Sequence, residues 1–595
     1  MRHHQNERGS ISLYTLGVAF VAAALCAVLF NYSHATNRFG AAEADRLRAE
    51  YLAEGGIEAG KGEVRSFVAL GGVPPANGTA SVDGRTAAYT IAPTGFSRVT
   101  ADASGIQTVV NHFQIESDAD YQRSAYRAKR IVASEATPLF QFAVYYDNDL
   151  EILPGPNMTI RGRVHTNSDL YIDGPLTFDT NYVRAAGNLY RRRKDSAGLS
   201  SGTLKVRQWV ADPFSPAEPL SYQTMWNKSQ LAALGVPSVS GYDSAFTGLD
   251  LNGNGSFTDP GDWLPWGPGA LQFWGPPTGY PNPEGHTVLT GEHGVTGAIL
   301  PGPQSTQMFE PVPGGSGGNY AWNPATQQYV SVPPGTGDYQ KGFYHAQAGL
   351  SVLTLPNGSW VAYDANGTNV SSSLAGVVST AQMYDARQAG GSANKIWVTQ
   401  IDMAALNASG QFPTNGLLYA ARYGEGTGLL AGGIRLKNGA ELAGPLTVVT
   451  EDPLYLWGDY NTVNKKPAAV IGDAVNLLSN AWNDTKTKGT LPAASATTYN
   501  VAMVTGNQDT TSGNYNGGFE NLPRFHENWT GKVCSITGSF VNAWLSQFAT
   551  GGWVYGGDRY TAPNRQWAYD TAFNNMANLP PFTPVSVATR DVVSW

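Results

Sequence analysis

Cysteine is almost absent from this chain: two among 595 residues, Cys26 inside an apolar run and Cys534 near the far end. Pairing them would tie a membrane-like segment to the distal part of the chain, so no disulfide framework and no cysteine-based zinc site is expected. Charge is also scarce, at 14% of residues with a net charge of −8. Such a balance offers phosphate no general attraction, and the dense basic run Arg191-Arg192-Arg193-Lys194 reads as a solvated loop, so nucleic acid is not an expected partner. The sequence holds no H-E-x-x-H and no P-loop pattern. Gly198-Leu199-Ser200-Ser201-Gly202 and Gly314-Gly315-Ser316-Gly317-Gly318 match G-x-S-x-G, but neither follows the apolar strand that a nucleophile elbow requires.

Turn formers and aromatics are abundant instead. Glycine (69), proline (36) and 11% aromatic residues accompany 42% hydrophobic content, a combination that excludes helical bundles and wholesale disorder and points to a β-rich exported protein. The length suits several domains or one large repetitive one.

Residues 11–30 carry no charge and follow Arg2, His3, His4 and Arg8. Twenty helical residues reach about 30 Å, enough to cross a bilayer, and the basic flank keeps the N-terminus cytoplasmic. No A-x-A-like cleavage site follows, as a secretory signal would need. From Ala41 to Leu70 the sequence is rich in Ala, Glu, Arg and Leu, with Leu47, Tyr51 and Ile57 at helical spacing, so one long helix is expected, half in lipid and half in water. Gly55, Gly56 and Gly60 mark points where it could bend.

Glu7-Arg8-Gly9-Ser10 before the apolar run, then Tyr51-Leu52-Ala53-Glu54-Gly55-Gly56-Ile57-Glu58, resembles the start of PilX-type minor pilins and pseudopilins of type IV pilus and type II secretion systems. The resemblance implies cleavage after Gly9 by a membrane peptidase, a mature chain beginning at Ser10, insertion in the bacterial inner membrane, and later packing among other pilin subunits in a periplasmic or extracellular filament. Major pilins carry Glu at the fifth mature position, which pairs with a neighbour's amino terminus; here that position is Tyr14. Its absence favours a tip or accessory subunit. A plain single-span anchor with no filament role is the alternative.

Beyond the helix, Thr86–Ile91 and Thr108–Phe113 alternate as strands. From Phe140 short apolar alternations are cut by Gly, Asn and Asp, as in the rungs of a β-solenoid, and the texture returns from Gly432 onward. The expected fold is mainly β: a long N-terminal α-helix followed by a right-handed parallel β-helix with a large loop-rich insertion, two unrelated β domains being the runner-up. The expected boundaries are a leader at 1–9, the transmembrane and pilin-like helix at 10–72, a small β domain at 73–137, solenoid at 138–189, a Trp/Gly/Pro-rich insertion at 190–415, and solenoid with the C-terminal region at 416–595. MYDAR (383–387), VTQIDMAAL (398–406), KPAAVIGDAVNLLSNAWND, ENLPRFHENWTGK, ITGSF and PNRQWAYDTAF are similar to the C-terminal region of large uncharacterised bacterial proteins with a PilX-like start, and imply no enzymatic activity.

The sharpest local motif is Asp250-Leu251-Asn252-Gly253-Asn254-Gly255-Ser256, continuing to Asp259 and Asp262. Oxygen side chains at positions 1, 3 and 5 with glycine at 6 reproduce a calcium loop, although the closing acid is displaced to Asp259 or Asp262. Ca2+ or a metal-free Asn-Gly turn are the two readings. Trp263, Trp266 and Trp274, set among Pro and Gly, suit either a platform for a glycan or a surface protein, or a loop-rich core. Asp452, Asp459 and Asp473 suit either turn formation or the paired carboxylates of a polysaccharide enzyme. The leading expectation is a non-enzymatic filament subunit with an adhesive head; the alternative is a membrane-anchored β-helix enzyme acting on polysaccharide.

Overall fold

The computed structural model describes residues 8–69, 71–102, 104–196, 202–207, 222–224, 287–311, 320–323, 328–331, 339–355, 357–388, 395–422 and 432–594. Within them the chain is mainly β behind one long helix, α1 (Arg8–Ala69). Its 62 residues span roughly 90 Å at 1.5 Å each. No interruption falls at Gly55, Gly56 or Gly60. These glycines are instead where the helix lies closest to a sheet: a methyl on Gly60 would meet Ile115 Cγ2 at 2.8 Å, one on Gly55 would meet Val82 Cγ2 at 2.6 Å, and one on Gly56 would run into Ser117 Oγ.

That sheet is antiparallel, built from β1 (Asn77–Val82), β2 (Arg85–Ala101), β3 (Gln107–Tyr121) and β4 (Ser124–Pro138). The C-terminal strand Val585–Ser594 pairs with β4 and completes it, so one sheet holds both an early and a late part of the chain. Leu52, Ala53, Ile57, Val64 and Val68 of α1 pack on Tyr89, Ile91, Phe113, Ile115 and Val132. Arg130 reaches Glu54 at 2.6 Å and Lys61 reaches Asp591 at 2.8 Å around the rim of this contact.

The larger body is parallel. Its main sheet runs, in spatial order, through Val288–Leu289, Val183–Ala185, Val164–Thr166, Val144–Tyr146, Phe540–Leu545, Ala502–Asn507, Ala468–Gly472, Leu446–Val449, Leu417–Arg422, Leu350–Thr354 and Trp360–Asp364. Every neighbouring pair is parallel except the last, a hairpin. A second sheet interleaves with it: Ile396–Asp402, Gly432–Lys437, Leu454–Trp457, Val475–Leu478 and Arg524–Phe525, again in parallel. From residue 417 to 478 the chain alternates between the two sheets, and from Thr497–Asn500 onward a third parallel sheet, continued by Val533–Gly538 and Asn564–Tyr569, joins the rotation; each strand lies beside one from the preceding turn, so each turn rests its apolar side chains on the next.

Stacking order departs from chain order. Residues 144–185 do not precede the turns formed by 417–545; they continue them, because Val144–Tyr146 pairs with Phe540–Leu545. The chain then leaves the stack at Val288–Leu289 and re-enters at the opposite end, at Leu350–Thr354. One apolar ladder crosses the seam without a break: Leu350, Leu418, Val448, Val470, Met503, Phe540, Val144, Val164, Val183 and Val288 are register partners in turn and all buried. The basic run is not a solvated loop: Arg191 is fully buried and Lys194 pairs with Asp149 at 2.7 Å. Phe540 is the seam's central rung, so Phe540→Ala should destabilise the protein by about 3–5 kcal/mol through the cavity it leaves, measured by denaturant unfolding.

Candidate functional site

Two regions stand out, one on the helix and one in the parallel body. On α1, the residues from Ile11 to Phe39 make no burying contact, and Leu13, Tyr14, Leu16, Phe20 and Phe30 are each more than 70% exposed. This stretch contains an apolar window long enough to cross a membrane. Tyr14 stands bare beside Leu13, Gly17 and Val18. Gly9 and Ser10 lie in the first turn of the helix.

Asp250, Asn252, Asn254, Ser256, Asp259, Asp262, Trp263, Trp266 and Trp274 lie outside the described residues. Of the acids Asp452, Asp459 and Asp473, the first and last stand on adjoining turns, Asp473 N donating to Asp452 O at 3.1 Å, and the carboxylate of each ties down backbone. Asp452 accepts from Arg422 N at 2.9 Å, Asp459 from Thr498 N at 2.8 Å, and Asp473 from the amides of Gln547, Phe548 and Ala549.

Three of the quoted segments do converge: MYDAR, the turn around Asp473, and ENLPRFHENWTGK. Asp385 accepts from Tyr455 Oη at 2.5 Å and from Arg387 N at 2.7 Å, while Gln388 Nε2 donates to Tyr455 Oη at 2.6 Å. His526 Nδ1 lies 3.9 Å from Asp385, and its Nε2 lies 2.9 Å from Asn476 Oδ1. Lys486 donates to the carbonyls of His526 and Arg559. Arg387, Arg524 and Arg559 line a small cavity here with Trp553 and Tyr560. Sequence reasoning quoted these segments but assigned none of their residues a role; the signal present was an unusual density of Asp, Arg and His inside otherwise apolar strand texture.

A second polar feature sits at the seam. Glu151 and Glu520 are buried, with neither carboxylate making a hydrogen bond of good geometry, and burial pushes both up to about 7. Next to it, Met158–Arg161 and Asn564–Tyr569 each pair on one side only, and a cleft of about 350 Å3 opens between them, lined by Arg161, Asn564, Arg565, Gln566 and Trp567.

Comparison with known proteins gives little. No protein-family profile and no curated protein matches the chain. Among solved structures it is similar to the competence-associated pilin ComZ from Thermus thermophilus, at 11% identity over 92% of this chain and 97% of that one, with a TM-score of 0.19. So loose a likeness carries no argument, and the functional reading rests on the geometry above.

Burial pushes His526 down to about 4, whereas the unfolded chain takes up this proton near 6.5. The stability so contributed is complete above about pH 6.5 and falls away as pH drops towards 4. His526→Gln should therefore make stability less dependent on pH between 6.5 and 5, the loss on acidification shrinking by about 1–2 kcal/mol. Urea unfolding of both proteins at pH 7, 6 and 5 checks it.

Proposed function

We propose that this chain is a minor pilin or pseudopilin-like subunit, held in the bacterial inner membrane by the apolar half of α1 and later incorporated in a filament, with residues 73–595 forming a non-enzymatic head. The single observation that carries this reading is the division of α1: one unbroken helix, bare and apolar over its first half, packed on an antiparallel sheet over its second. A bare apolar helix in water is unfavourable. Lipid covers it before assembly, and the helices of other subunits cover it afterwards.

The finer points follow from the same helix. The PilX-type resemblance places cleavage between Gly9 and Ser10, and Tyr14 supplies no charge for a neighbour's buried amine. A head of this size crowds neighbours along a shaft, which favours the tip. We take the alternating parallel strands as a right-handed β-helix. Its head acts in adhesion, with the cleft beside Trp567 offering guanidinium and amide donors to a glycan or a surface protein. The Asp250 loop is read as a Ca2+ site.

Protein recovered from filaments should begin at Ser10 by N-terminal sequencing, and an intact Met1 in cells with an active prepilin peptidase rejects the processing. Immunogold labelling of the head should mark filament ends, with Tyr14→Glu changing assembly little; regular label along the whole filament rejects the tip position. Ca2+ should raise the melting temperature of the full chain in detergent, since a ligand of the native state stabilises it by mass action. Asp250→Ala should remove that gain; an unchanged response rejects the site.

A further inference from the structure

The third parallel sheet is interrupted at the seam. On one side of the break stand Thr497–Asn500, Val533–Gly538 and Asn564–Tyr569, and on the other Met158–Arg161, Leu176–Asp179 and Leu204–Arg207. The main sheet crosses the same seam unbroken, through Phe540 and Val144. The two edges of the third sheet approach at their C-terminal ends, where a methyl on Gly162 would touch Tyr569 Cγ at 2.9 Å. Towards Met158 and Asn564 they part, and the cleft of about 350 Å3 opens there, with Pro156 and Pro563 beside those N-terminal ends.

Main-chain groups of both walls point into the gap. In a parallel ladder, alternate residues bond to the same neighbouring strand. Met158 N donates to Pro175 O at 3.2 Å, so Thr159 and Arg161 direct their N–H and C=O the other way, into the cleft. On the facing strand, Asn564 N donates to Lys532 O at 2.7 Å and Asp570 N to Gly538 O at 3.0 Å. The even-numbered residues there bond to Val533–Gly538, and Arg565 and Trp567 turn their main-chain groups to the cleft. Among the described residues no strand pairs with either edge on this side. Open edges of this kind are templates for another chain.

The side chains add a charge preference. Arg565 Nη2 donates to Glu520 O at 2.9 Å, while its Nε is buried without an acceptor. Among the described residues the lining holds two guanidiniums, Arg161 and Arg565, and no acid. Asp179 pairs with Arg161 at 2.8 Å but also lies 3.8 Å from Arg207, and burial pushes the Glu520 carboxyl near Arg565 up to about 7. Three guanidiniums thus outweigh these two acids, and the cleft favours an anionic group. Its volume falls in the lower range of ligand sites, enough for a short length of chain and too narrow for a folded surface. Strand edges present N–H and C=O at a two-residue repeat, which an extended peptide matches along its whole length and a sugar does not.

We infer that this cleft receives an extended peptide segment of a partner protein, added as a short strand on the open edges, with an acidic side chain against Arg161 and Arg565. The inference rests on the adhesive reading of the head and narrows the ligand of this cleft to one class.

The test uses the full chain in detergent micelles and the fluorescence polarisation of a labelled, end-capped peptide of alternating valine and threonine with one central aspartate. Binding should saturate. Replacing the aspartate by lysine should weaken it about 3–10-fold, and N-methylating alternate amides, which removes the donors of one peptide edge, should weaken it at least as much. Thr159→Pro removes one N–H from the cleft at an edge position that tolerates proline, and it should weaken binding about 3–10-fold, as should Arg565→Gln. Absence of saturable binding to the wild type overturns the inference, as does binding indifferent to the aspartate or to N-methylation, or undiminished in both folded variants. If neither variant folds, the lysine and N-methylated peptides on the wild type decide. A chitin oligosaccharide that binds where the peptide does not, with binding lost in Arg565→Gln, overturns the peptide assignment and leaves the adhesive reading standing.

Discussion

The pairing of Val144–Tyr146 with Phe540–Leu545 is the contact on which the architecture depends. It joins strands nearly four hundred residues apart, and through it the turns built by 417–545 and those built by 144–185 become one sheet with one apolar ladder. Without it, each half would present a row of unpaired backbone groups and a bare apolar end, a template for pairing with another chain. The β4 pairing of Val585–Ser594 works the same way in the sheet under α1. Once both are made, early and late parts of the chain are held together twice, and the sheet under α1 cannot form fully until the last strand arrives. Contacts so distant in sequence carry a large loop-closure cost before they return any stability, which places their formation late in folding.

This closure also sets how the head meets the helix. Strand β4 ends at Pro138 and the parallel body begins within a few residues, while the C-terminal strand returns from that body to β4. Two covalent connections therefore link the sheet under α1 to the parallel body. Ser539 Oγ donates to Phe142 O at 2.6 Å and Arg163 bridges Ser104 to Asn574, adding buried polar ties across the same region. A load applied to the head would reach the helix through paired strands and not through a single linker.

Much of the helix was legible in the sequence, because an uncharged run of twenty residues and a helical repeat of Leu47, Tyr51 and Ile57 are local signals. The glycines were harder. Nothing in Gly55-Gly56 and Gly60 alone distinguishes a bend from a close approach, and only the positions of Val82, Ser117 and Ile115 decide it. Strand texture was legible for the same reason as the helix: the short alternations that return from Gly432 onward include the strands Ala468–Gly472 and Ala502–Asn507. Stacking order was not, since parallel partners are chosen by contacts whose sequence separation carries no local mark. The polar centre was visible only as quoted segments. Asp385, Arg387, Arg524 and His526 are ordinary letters until MYDAR and ENLPRFHENWTGK are folded side by side.

The two polar centres respond to acid differently, because the seam holds two raised carboxyls and the second-sheet centre sets a raised carboxyl against a lowered imidazole. Glu151 and Glu520 are held up near 7, so they bind protons in the fold that the unfolded chain releases near 4.3. Their contribution is complete below that value and is lost as pH rises through 7. His526 is held down near 4, and its contribution is lost as pH falls. Between about pH 4.5 and 6.5 the two glutamates at the seam gain stability as pH falls. In the second-sheet centre burial pushes Glu527 up to about 7, so it gains in the same window in which His526 loses, and that centre holds opposing responses within itself while the seam, where the chain halves meet, tightens under mild acid.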